Sequence, residues 1–395
     1  MKKLLCIVLS LTLILSLTAC GDTKDSAQTP TPSTSSETSS DAASGEPVKV
    51  GFIAPLSAGQ ATYGELQLKG IQMAFDEINE SGGVLGGRPL ELVEFDDKSS
   101  TTDAAAGAQK FADDPSIVAV YGSNNSGCTL AMAPVLQKAR LLHLNSSSSA
   151  MGLMDYDTFF RTLNDAEVQT AFSANWGYEE FGSKCIIVAV NNDWGKDMVK
   201  GFTTAYEALG GEVVLTEFFE NGQSDYRSAI TRMKEYDADF IYNTHEFDST
   251  PPLMQQMTEL GLNLPTLGST AFFNDLVLQS AGHDVDGAMF LTEFYVYDTD
   301  PIVQEFVEKY QAKYNNELPA QQSANAYEAG YAIYYAIEKA GCTDREKIVE
   351  AAYDLEPFQG ITGTIEWGGE NGHTLVGKPY TKMCIKDGAY ALYEG

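Results

Sequence analysis

The sequence predicts an α/β protein of two doubly wound parallel-sheet lobes joined by a hinge that the chain crosses three times. From Val48 onward, short β-rich runs alternate with amphipathic segments, the pattern of parallel strands joined by crossover helices. The alternation runs through twice, and a chain of 395 residues is longer than one small core serves, so two lobes are expected.

In the first set, residues 48–54 read as a strand, and residues 65–79 place Leu68, Ile71, Phe75 and Ile78 on one helical face. Strands continue at 90–95, 117–121 and 141–144, with helices at 102–112 and 130–139. The second set opens at Asp165 with a helix to residue 178, then strand 185–190, helix 196–209 and strand 212–218. A helix at 226–233, a strand at 240–242, a helix at 253–260 and a short strand at Thr266 and Leu267 complete it.

Two long helices, 302–314 and 323–340, come late enough to return to the first lobe. Residues 364–367 follow, and then a closing hairpin, 380–385 with 389–393 around Lys386, Asp387 and Gly388, which can return to the second. The first lobe is therefore expected over 48–165 with about 294–365, and the second over 166–293 with about 366–395. Such repeated crossing makes a hinge.

Residues 1–19 have the form of an export signal: Lys2 and Lys3, an apolar run over 4–17, then the small residues Thr18 and Ala19. The run is shorter than the roughly 20 residues a spanning helix needs. Leu17-Thr18-Ala19-Cys20-Gly21 resembles a bacterial lipobox, which implies a mature N-terminus at a lipid-bearing Cys20 and an extracytoplasmic, membrane-anchored protein. Residues 21–47, nearly all Ser, Thr, Ala, Pro and Asp, have no apolar pattern to offset the entropy of ordering and read as a tether, spanning about 30 Å as a flexible coil.

With 25 basic and 55 acidic residues the net charge is −30, which argues against nucleic acid or anionic lipid surfaces as partners. Beyond Cys6 in the signal and Cys20, the cysteines Cys128, Cys185, Cys342 and Cys384 form no CxxC pair and are too widely spaced for a local zinc motif. They read as free core residues, with a disulfide left open. His143, His245, His283 and His373 are scattered, so no metal site is expected, and no cofactor motif is present. Asp96 and Asp97 read as strand-end residues rather than a catalytic dyad. GxSxG, HExxH, GxGxxG and the complete P-loop GxxxxGK[ST] are all missing, which speaks against an enzyme.

Several segments in order carry a family resemblance: residues 51–59 (GFIAPLSAG), Tyr63-Gly64, Gly70 to Asn79, Gly82-Gly83-Val84, residues 94–97 (EFDD), the loops 122–126 and 145–150, and Phe358-Gln359-Gly360 with Gly363 and Ile365. Together they resemble the type I periplasmic binding proteins of the branched-chain amino-acid class. The resemblance implies a monomer that captures a small solute between closing lobes and hands it to a membrane permease driven by a cytoplasmic ATPase. Ligands in doubly wound lobes sit beyond the carboxyl ends of the strands, where the loops holding Asn125, Ser126, Ser147 and Ser149 fall.

Ser126, Ser147 and Ser149 match the family's contacts to an amino acid's carboxylate and ammonium, and Tyr63 and Trp194 match its aromatic covers. Read without the resemblance, the serines are a polar loop and a helix cap, and Trp194 a packing residue at a helix start. Where the branched-chain binders place a glutamate against the ammonium, this chain presents Thr270, which can accept a hydrogen bond without balancing the charge. Glu246, at a position usually occupied by tyrosine, can supply that carboxylate from the neighbouring loop; equally it can be a solvated loop acid. A sensory receptor of the same fold, or a binder of an aromatic acid or amide, remain alternatives to amino-acid transport.

Overall fold

The computed structural model describes residues 45–395 apart from Gly59 and Glu370. The expected signal peptide, Cys20 and nearly all of the expected tether lie outside the described residues.

The first lobe opens with β1 (Val48–Ala54), α1 (Ala61–Glu80), β2 (Leu90–Asp96), α2 (Thr101–Asp113), β3 (Ile117–Gly122), α3 (Ser126–Lys138), β4 (Leu142–Asn145) and β5 (Phe159–Arg161). Its five strands are all parallel, in the order β2-β1-β3-β4-β5. A strand paired on both edges and covered on both faces needs apolar residues throughout, and within β1 Lys49 alone is even half-buried. On one face Phe52 meets Ile71 and Phe75 of α1, and on the other Ile53 meets Phe111 of α2 and Met132 of α3. Each fully buried Ile or Phe of this set stabilises by roughly 1.5–3 kcal/mol.

The second lobe repeats the plan with α4 (Ala166–Glu180), β6 (Lys184–Val190), α5 (Asp193–Ala208), β7 (Glu212–Phe219), α6 (Arg227–Met233), β8 (Phe240–Thr244), α7 (Thr250–Leu260), β9 (Thr266–Gly268), α8 (Asp275–Ala281) and β10 (Met289–Thr292). The parallel order β7-β6-β8-β9-β10 is the first lobe's order over again. Asp165 caps α4 by accepting from the Val168 N–H at 2.9 Å, so the helix begins just after the chain leaves β5.

The chain then returns to the first lobe as α9 (Pro301–Lys313), α10 (Gln321–Ala340) and α11 (Arg345–Tyr353), with α10 laid along α1. Short pairs follow: β11 (Phe358–Gln359) with β12 (Thr364–Ile365), and β13 (Trp367–Gly368) with β14 (Thr374–Leu375). The second pair stays on the first lobe, where Trp367 Nε1 donates to the Arg161 carbonyl at 2.8 Å. The chain crosses last into β15 (Thr381–Lys386) and β16 (Ala389–Leu392), antiparallel additions beside β10. Asp387 and Gly388, at φ 53° and 72°, form the tight turn expected there.

The three passages are stitched together at the hinge. Asn164 exchanges two hydrogen bonds with the Lys378 backbone, at 2.8 and 3.0 Å, and its own N–H donates to Glu293 Oε1 at 2.9 Å. One residue from each passage thus shares one buried network.

Several features differ from the sequence reading. α1 begins at Ala61, not residue 65, so Tyr63 lies on the helix itself. The strands β5 and β10, of 3 and 4 residues, and the short helices α8 and α11 were not anticipated. Cys128 and Cys185 are buried free thiols, but Cys342 and Cys384 are only half-buried: Cys342 follows the end of α10, and Cys384 lies on the hairpin at the edge of its sheet.

Candidate functional site

Strand-end loops of both lobes face one another across a cleft of about 460 Å³. All eight residues singled out in the sequence line it: Tyr63, Asn125, Ser126, Ser147 and Ser149 from the first lobe, and Trp194, Glu246 and Thr270 from the second.

In the first lobe β3 ends in a turn that leads into α3. Asn125 is the N-cap of α3, its side chain makes no capping bond, and Ser126, Gly127 and Cys128 bring the first helical turn to the cleft. Uncapped N–H groups at a helix N-terminus favour an anion. The next loop is held by buried Asn145, whose Oδ1 accepts from the N–H groups of Ser147 and Ser148 at 2.8 and 2.5 Å, while Nδ2 donates to the Ser123 carbonyl at 2.7 Å. Asp96 and Asp97 are strand-end residues: Asp96 accepts from the N–H of Leu56 at 2.9 Å, and Asp97 from the N–H of Ser99 at 2.8 Å and from the Ser123 hydroxyl.

The hydroxyls are oriented by what they accept. Ser126 Oγ accepts from Ser148 Oγ at 3.1 Å, Ser147 Oγ accepts from the Gln67 amide, and Thr270 Oγ1 accepts from Gln169 Nε2 at 3.3 Å. Each is left with its O–H to donate, which suits a solute oxygen. Ser149 is 3% exposed, and its backbone carbonyl accepts from the Ala166 N–H at 3.1 Å, tying the loop to the start of α4.

The two aromatic covers are placed by one device used twice. Tyr63 precedes Gly64, where an added Cβ would lie 1.9 Å from the Pro55 carbonyl oxygen; Trp194 precedes Gly195, where it would lie 2.0 Å from that of Val190. In each lobe only glycine lets the helix start sit this close to the end of the first strand. Asn192 caps α5 by accepting from the Gly195 N–H at 2.8 Å.

The lobes meet around the cleft. Tyr63 packs edge-to-face on Phe247 with ring centroids 4.8 Å apart, and the Met151 N–H donates to Asp197 Oδ2 at 3.1 Å. The half-buried Glu246 carboxyl is pushed up to about 7, first by burial and then by the charge of Asp248, with Asn192 opposing. Burial, then Glu246 and Asp248, raise the Tyr63 hydroxyl well above its usual value.

Sequence reasoning missed most of the cleft's carboxamides, among them Gln169, Asn192, Gln321 and Asn325. Asn192 carried a local signal, a capping residue directly after a strand. Gln321 and Asn325 carried none, since they reach the cleft only because α10 returns from the hinge.

A family model for periplasmic binding proteins matches residues 47–389. A leucine-, isoleucine-, valine-, threonine- and alanine-binding protein of Pseudomonas aeruginosa is 26% identical over 321 residues, 80% of this chain and 85% of that protein. The crystal structure of a leucine-binding protein from Thermotoga maritima superposes with a TM-score of 0.80 at 26% identity, over 88% of this chain and 97% of that one. A branched-chain amino-acid transporter substrate-binding protein of Streptococcus pneumoniae, solved with isoleucine, gives 0.79 at 27% identity over 88% and 99%.

Proposed function

The chain belongs to the periplasmic binding protein family, and from that premise we propose that it captures a free amino acid between its lobes and delivers it to a membrane importer. The observation that carries this reading is the polarity of the cleft. Its first-lobe wall offers donor hydroxyls and the N-terminus of α3, and its second-lobe wall carries the Glu246 carboxyl. A zwitterion needs that division: donors for its carboxylate and an acid for its ammonium. In this reading Ser126, Ser147, Ser149 and Asn125 hold the carboxylate end, Glu246 meets the ammonium, Thr270 contributes its hydroxyl, and Tyr63 and Trp194 cover the solute.

Contacts across the cleft, such as Tyr63 on Phe247, form only when the lobes approach, so a solute touching both walls shifts the population toward the closed form. The lobe assignment follows the passages: 48–165 with the returning helices, and 166–293 with the closing hairpin. Lipid on Cys20 and the tether would keep this monomeric body at the outer membrane surface beside its permease and ATPase. Thermal unfolding of the ligand-stripped protein against the twenty amino acids tests the reading: one at about 100 times its Kd adds roughly 2.7 kcal/mol. No stabilisation by any amino acid would refute it.

A further inference from the structure

A cleft that receives a leucine side chain gains by burying apolar surface against apolar walls. Leu163 and Ala271 are the aliphatic residues among the described lining, and carboxamides from both lobes occupy much of the rest. An apolar side chain placed against them would strip water from amide groups and return no hydrogen bond.

Two of these amides, one helical turn apart on α10, are fixed in opposite senses. Asn325 is 1% exposed; its Nδ2 donates to Glu293 Oε2 at 3.2 Å, and its Oδ1 is buried without a partner. The amide cannot turn over, because that would set its oxygen against the Glu293 carboxylate, so Asn325 offers an acceptor. Gln321 is fixed the other way: its Oε1 accepts from Thr292 Oγ1 at 2.9 Å and from the Glu293 N–H at 3.2 Å. Its Nε2 finds no acceptor among the described residues and is left as a donor. Residues four apart on a helix are neighbours on its surface, and both line the cleft, so its hinge end holds a donor and a buried, unpartnered acceptor side by side.

We propose that this pair reads a side-chain carboxamide, its carbonyl accepting from Gln321 Nε2 and its N–H₂ donating to Asn325 Oδ1, so that the preferred solute is glutamine or asparagine. The proposal rests on the reading that the cleft takes a free amino acid. Sites built to satisfy a polar group reject analogues that lack it far more strongly than apolar pockets discriminate by size. Glutamate brings a second acceptor to Asn325 Oδ1, and leucine leaves both amides unpaired.

Titration calorimetry on the full chain, stripped of co-purified ligand, decides between the classes with glutamine, asparagine, glutamate, lysine, leucine, isoleucine and valine. Glutamine or asparagine is expected to bind at least about tenfold more tightly than leucine or glutamate, a gap of about 1.4 kcal/mol. Asn325→Leu and, independently, Gln321→Met should each shrink that ratio about tenfold; the ratio is read within one folded variant, so a loss of stability does not mimic it. Leucine, isoleucine or valine binding tightest would overturn the proposal and leave the amino-acid reading standing, as would glutamate or lysine. Binding of none of the seven, with stabilisation by none of the twenty, would overturn both.

Discussion

Lys378 Nζ lies 2.7 Å from Glu328 Oε2, and the two side chains are 0% and 1% exposed. Lys378 belongs to the third passage and Glu328 to α10, so this ion pair fastens the last crossing to the first lobe. Glu328 Oε1 also accepts from the Thr362 N–H at 2.6 Å, and Lys378 Nζ donates to Thr362 Oγ1. Burying two charges is costly, and removing one partner leaves the other stranded. Lys378→Met should destabilise by about 3–5 kcal/mol in urea unfolding, whereas Lys378→Met with Glu328→Leu should recover most of that loss. Fully additive costs would mean that the pair is not coupled.

Tyr63 reaches out of the first lobe into a cluster formed otherwise by second-lobe residues, where it meets Phe247. Tyr63→Phe keeps the ring pair and should leave affinity for the bound amino acid within about threefold. Tyr63→Ala removes a contact worth roughly 0.5–1.5 kcal/mol beyond its buried area and should cost at least about tenfold. Equal affinities for the two variants would take the ring out of the closed state.

Much of this could be read from residue order. The rule that doubly wound lobes bind ligands at strand carboxyl ends pointed to the loops of Ser126, Ser147 and Ser149 without a structure, because each follows a readable strand, whereas Trp194 and Thr270 were named from the family resemblance; all five line the cleft. What stayed hidden depends on contacts between distant segments. Lys378 and Glu328 are 50 residues apart and carry no local sign of pairing. Gln67 falls within α1 beside the apolar stripe, and nothing before the structure linked it to Ser147. The split between Asn325 as acceptor and Gln321 as donor follows from Glu293, which arrives by the second passage.

Ser149 is almost fully buried at the cleft, and its hydroxyl makes no side-chain hydrogen bond among the described residues. If that hydroxyl meets the solute, Ser149→Ala should weaken binding by about 1–3 kcal/mol, by calorimetry, with little change in the unfolding of the unliganded protein. Ser126→Ala should cost a similar amount of affinity and also lose the bond from Ser148. An unchanged Kd for Ser149→Ala would remove that residue from the site.

The pH dependence of binding follows from Glu246, whose carboxyl is held up at about 7 by burial first and by Asp248 second. A solute ammonium interacts with the ionised form, so affinity should be highest above pH 7 and fall as pH drops through that value. The fall should approach tenfold per unit until the lower pKa of the complex is reached. Unliganded stability has the opposite sign. A carboxyl raised in the folded state contributes stability that is fully present below its unfolded value of about 4.3 and is lost as pH rises toward 7. Acidification from pH 8 to 5.5 should therefore weaken binding while this residue's contribution to the unliganded fold increases. In Glu246→Gln both trends should flatten and affinity at pH 8 should drop at least about tenfold, because the ammonium loses its counter-charge. Affinity that stays level between pH 5.5 and 8 in the unmodified protein would exclude Glu246 as the group that meets the ammonium.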